Sequence, residues 1–191
     1  MSGAKDGQPP PPPQLESAAA IVAAFAVYLV VFLVAVVWLV VADRTAELPP
    51  LAFGTSEPWV AMTVGLVATA VGVPFCWLCS RSARSVRHCE SRLAELLGTP
   101  RDGVVVMLPV TAAIAEELLF RCVLQGAFGP WRAVALQVGM SIGLGFWGWW
   151  PIAAGLGALS AWLVDAGYGL ASATLAHALI NYLTLRRILS K

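Results

Sequence analysis

Residues 103–128 read GVVVMLPVTAAIAEELLFRCVLQGAF, an apolar run that places Glu116, Glu117 and Arg121 near its middle. As a helix rising about 1.5 Å per residue it spans a bilayer, and the two glutamates then lie roughly 18 Å from either end, with Arg121 one turn farther along. A charge at that depth costs about 2.5–3.5 kcal/mol on insertion scales, so three together need partners and point to a function. At about 100° per residue, Glu117 and Arg121 are an i,i+4 pair about 40° apart on the wheel. Glu116 is about 140° from Arg121 and cannot pair with it along the same helix. Glu117 is therefore expected to neutralise Arg121, leaving Glu116 as the carboxylate with no partner on its own helix.

The rest of the chain supports a membrane setting for this run. Of 191 residues, 59% are apolar and 12% charged, with a mean hydropathy of +0.77. Soluble domains carry about 25% charge, so the expectation is an all-α, polytopic membrane bundle of about six transmembrane helices. Twelve basic residues against eleven acidic ones argue against a nucleic-acid partner, and four scattered cysteines against a secreted disulfide scaffold. Cys76, Cys79, His88 and Cys89 make a poor metal set, and no metal or cofactor is expected.

Charges divide the chain into uncharged stretches over 17–42 and 58–80, the run 103–128, and segments 133–150, 152–164 and 167–185, the fourth and fifth separated by Pro151. Glycines 139, 143, 145, 148, 155 and 157 suggest close packing of those two shorter segments. Residues 1–16, with prolines at 9–13, read as a disordered tail. Residues 17–102 then hold two transmembrane helices and a basic loop, 103–185 a catalytic core, and 186–191 a basic tail. Arg81, Arg84, Arg87 and Arg92 directly follow a span, which by the positive-inside rule places that loop, and both termini, in the cytoplasm. Ten arginines against two lysines, with abundant Ala, Val and Gly, suggest a bacterial inner-membrane protein.

The last span contributes His177 and Asn181 in LAHALINYL, again i,i+4 on one face and about 14 Å deep. A carboxylate, an imidazole and a carboxamide at one depth in a dry bundle suit hydrolysis. Glu116 would take a proton from water, and His177 and Asn181 would donate to a developing oxyanion. A Glu–Arg clip without chemistry is the plainer reading of Glu117 and Arg121. A small proton-coupled carrier could use the same cluster, although no inverted repeat is visible.

Glu116-Glu117-Leu-Leu-Phe-Arg121 resembles the EExxxR signature of the CPBP family (CAAX-processing proteases and bacteriocin-processing or Abi proteins). His177-Ala-Leu-Ile-Asn181 resembles that family's HxxxN motif, in the expected order and on a separate span. The resemblance implies a glutamic-type intramembrane endopeptidase acting on a membrane-anchored protein or peptide, with the lipid bilayer as its setting. It assigns water activation to Glu116, support to Glu117 and Arg121, and the oxyanion hole to His177 and Asn181. The composition favours a bacterial substrate, such as a membrane-anchored sorting tail in a myxosortase-like branch. One departure stands out. The family's middle motif is FxxxH, and the matching stretch Phe146-Trp-Gly-Trp-Trp150 carries Trp150 where His is expected. The alternative is therefore a catalytically inactive relative that binds a membrane peptide or partner helix.

Overall fold

The structure, a computed structural model, describes residues 13–190, and all regular structure among them is helical. Eight helices follow in chain order: α1 (Pro13–Val41), α2 (Leu48–Phe53), α3 (Pro58–Ser82), α4 (Arg84–Leu97), α5 (Asp102–Phe128), α6 (Pro130–Gly143), α7 (Trp150–Asp165) and α8 (Gly169–Leu189). Among the described residues, three stretches are long and apolar enough to cross a membrane: Ser17–Val41, Pro58–Ser82 and Asp102–Phe128. Helices α6 and α7 have 14 and 16 residues, about 21 and 24 Å, and pack against each other as a short pair. Residues 1–12 of the expected tail, and Lys191, lie outside the described residues; α1 begins at Pro13.

Helix α8 is the hub, packing against α3, α5 and α7. Its closest approach is to α3, where Ala61, Gly65, Ala68, Gly72 and Cys76 form a buried stripe at helical spacing. A β-carbon on Gly65 would lie 2.9 Å from the Ser172 carbonyl oxygen, so this glycine sets how near α3 and α8 can come. The close-packing stripe is thus on α3, whereas Gly139, Gly143 and Gly145 on and after α6 face open space. Of the glycines named above, Gly148, Gly155 and Gly157 do meet neighbours. Many large apolar side chains of α1, among them Leu29, Val30, Val34, Val37 and Val41, stay exposed, the pattern of a helix with one side facing lipid.

Three boundaries differ from the sequence reading. The basic stretch after α3 is a helix, α4, with Val86, Cys89 and Leu97 buried on one side and its arginines outside. The 133–150 segment stops at Gly143, and a short turn at 147–149 leads into α7, so Pro151 stands in the first turn of a helix, where its missing N–H costs nothing. Within α5, regular α geometry ends at Glu117 and residues 118–125 form wide π turns.

The helices alternate in direction, so the ends of α1 and α8 nearest the termini meet α4 at an arginine-rich end of the bundle; Ile21, Leu97 and Leu189 share one apolar cluster there. The opposite end is closed by the 43–57 connection. Its Thr55 N–H donates to the Gly167 carbonyl at 3.0 Å, and Ser56 Oγ donates to the same oxygen at 3.0 Å. Gly54 (φ 62°) and Gly169 (φ 77°) pass so close that a side chain on either would strike backbone.

Candidate active site

Glu116 and Glu117 end the regular part of α5, and the wide turns that follow keep Arg121 on the face of Glu117. Such π segments occur often at functional sites, because they displace side chains from α register. Arg121 Nε stands 3.3 Å from Glu117 Oε2, an ion pair outside directed hydrogen-bond geometry, with both side chains at 1% exposure or less. Glu117 Oε1 accepts from Ser160 Oγ of α7 at 3.0 Å and lies 2.7 Å from His177 Nδ1 of α8. One carboxylate thus ties α5 to α7 and α8.

This arrangement fixes the imidazole. A carboxylate paired with a guanidinium accepts only, so the ring hydrogen belongs on Nδ1 and Nε2 is turned the other way. Nε2 faces Glu116 Oε2 at 3.9 Å, too long for a direct hydrogen bond and suited to one intervening water. Glu116 is the more open of the two carboxylates, with 15% of its side chain exposed.

Gln137, buried on α6, joins the two halves. Its Nε2 donates to Glu116 Oε2 across a long 3.4 Å, and its Oε1 accepts from Arg121 Nη2. Gly157 on α7 makes room for that pair; a β-carbon there would lie 2.8 Å from Gln137 Oε1. Arg121 Nη1 continues to Gln125 Oε1 at 3.4 Å, and Gln125 Nε2 donates to Asp165 Oδ1 at 2.7 Å. A polar ladder therefore runs from mid-bundle to the end closed by the 43–57 connection. Asn181 lies one turn beyond His177, half-buried, with no side-chain hydrogen bond among the described residues.

Residues 103–183 match the family model described as Type II CAAX prenyl endopeptidase Rce1-like. This segment resembles that family. No curated protein and no solved structure matches the chain. The match begins after α4, so α1, α2, α3 and α4 lie outside it, and it holds Glu116, Glu117, Arg121, His177 and Asn181 within its bounds.

Within the matched segment, the stretch 146–150, read above as the middle motif, lies at the turn that leads into α7. Trp150 opens α7 and is 53% exposed, on a different helix from the side chain that reaches Glu116. That side chain is Gln137, which sequence reasoning passed over along with Ser160. Gln137 had one legible signal: a lone uncharged amide in ALQVGMS, a stretch otherwise without a strong polar group.

Proposed function

We propose that the chain is an intramembrane endopeptidase in which Glu116 activates water. The observation that carries this reading is the 3.9 Å gap between Glu116 Oε2 and His177 Nε2, beside a second carboxylate already engaged by Arg121, Ser160 and His177. A water in that gap donates one hydrogen to Glu116 and the other to Nε2, leaving an oxygen lone pair for the scissile carbonyl. As the C–O bond forms, the proton passes to Glu116 and charge builds on the substrate oxygen. Asn181, with its amide uncommitted, donates to that oxyanion. Collapse breaks the C–N bond, and the proton held at Glu116 passes to the departing amine. Glu117 and Arg121 act through His177 as positioning residues, and Gln137 holds Glu116 in place.

A membrane-anchored peptide is the substrate class, with a CAAX-type tail suggested by the family match. A second reading, a non-catalytic peptide binder, is favoured by one observation: Gln137 can donate to Glu116 but cannot take a proton, so no second imidazole assists there. Reconstitution of the full chain in lipid vesicles with a prenylated reporter peptide and a membrane-tail reporter separates the two. Endopeptidase activity predicts cleavage by the wild type and a fall of about 10²–10⁴-fold in Glu116→Gln and His177→Ala. Reporter binding without cleavage by folded wild-type protein would establish the binder instead.

A further inference from the structure

At the arginine-rich end, remote from Glu116, a cleft of about 460 Å³ is lined by Trp77, Ser80, Arg81, Arg87 and Arg187. Three guanidinium groups meet there from α3, α4 and α8. Buried Glu90 offsets one, accepting from Arg187, and Ser80 Oγ accepts from the same guanidinium at 2.6 Å. Arg87 Nη1 donates to the Ser80 and Arg81 carbonyls at 2.9 and 2.8 Å, which caps the last turn of α3. These bonds occupy one nitrogen of each of the two arginines. Arg187 Nε remains buried without a partner, and the Arg81 guanidinium makes no hydrogen bond or ion pair among the described residues. The Arg187 guanidinium sits 5.8 Å from the centre of the Trp77 ring, which holds it over an apolar floor.

The cleft is continuous with the lipid-facing side of α3. Exposed Val67, Val71, Pro74 and Leu78 follow one another at i+4, i+3 and i+4 along a single line, and Arg81 is the next position on it. An apolar track ending in convergent guanidinium groups fits a molecule with hydrocarbon at one end and an anion at the other.

The geometry points to a binding site for an anionic phospholipid, its phosphate between Arg81, Arg87 and Arg187 and its acyl chains along the α3 line. The shared chemistry is a phosphate anion; the apolar track selects the lipid over free phosphate. Native mass spectrometry of the full chain in a neutral detergent tests this, with phosphatidylglycerol and phosphatidylcholine as probes. Phosphatidylglycerol should bind at least about fivefold tighter than phosphatidylcholine, and Arg81→Gln should remove about fivefold, the effect of one interfacial charge. Arg81→Lys should retain most of the affinity. Arg132→Gln, an exposed arginine at the start of α6, should retain all of it. Because the Arg81 guanidinium holds no internal bond, its variants should unfold like the wild type without lipid. Equal binding of the two lipids, or an unchanged Arg81→Gln, overturns the site. Displacement of phosphatidylglycerol by equimolar inorganic phosphate overturns the lipid as its occupant.

Discussion

Two buried clusters in this bundle are built from the same parts. At mid-bundle, Glu117 meets Arg121, Ser160 and His177; at the arginine-rich end, Glu90 meets Arg187 and Ser80. Each joins three helices around a carboxylate, a guanidinium and a hydroxyl, the mid-bundle one with the His177 imidazole as its third link, and each would serve as a structural clip. The difference is what stands beside the clip. Glu117 carries an imidazole whose far nitrogen faces a second carboxylate across a water-sized gap, whereas the Arg187 that pairs with Glu90 borders a cation cleft. The proposed mechanism therefore assigns the chemistry to the group left incompletely paired, not to the ion pair that first attracts attention.

The sharpest way to break this comparison is to neutralise one carboxylate from each side. Glu116→Gln should cut hydrolysis by about 10²–10⁴-fold while unfolding stays near the wild type, and Glu90→Gln should leave the chemical step intact. Equal losses in both, measured on the same reporter, would erase the distinction. Glu117→Ala comes next, because it leaves Arg121 as an uncompensated buried charge. Denaturation in detergent should show a loss of about 3–5 kcal/mol, together with loss of activity. Glu90→Ala should cost less, about 1–3 kcal/mol, since Arg187 is 21% exposed and keeps its bond to Ser80.

Gly157→Ala sharpens the comparison from the packing side. Its methyl would crowd the Gln137–Arg121 pair, with an expected cost of about 1–3 kcal/mol and a lower turnover because Glu116 loses its positioning. The smallest effect should come from the Arg44–Glu47 pair at the opposite end. Its hydrogen bond from Arg44 holds the Glu47 carboxyl below the usual carboxylate range, and the same bond raises Arg44. A carboxyl lowered in the folded state stabilises fully at neutral pH, and that contribution fades as pH falls through the folded value. Glu47→Gln should thus leave the unfolding midpoint nearly unchanged at pH 7, and the small difference should vanish in acid.

The helical bundle and the Glu117–Arg121 pair were legible in the sequence, because periodicity and charge placement act within one segment. The facing of His177 toward Glu116 was legible only as a matching depth. That His177 binds Glu117 through Nδ1, and that Ser160 and Gln137 complete the cluster, depends on how α6, α7 and α8 pack, which no single segment encodes. The π turns after Glu117 were equally hidden, since wheel arithmetic assumes constant pitch. Trp150 was placed by motif spacing alone, and the turn at 147–149 carries it onto a different helix. The helix over the basic stretch did leave a trace: Val86, Cys89, Leu93 and Leu97 recur at helical spacing.

The central claim is that Glu116 acts on water rather than on the peptide. A single-turnover cleavage in H₂¹⁸O, with protein in excess over a membrane-anchored reporter, tests it directly. Water activation predicts ¹⁸O in the new carboxyl terminus of the product and none in the Glu116 side chain. Unlabelled first-turnover product with ¹⁸O in Glu116 would show covalent attack by the carboxylate, and no product from folded protein would contradict the hydrolase altogether.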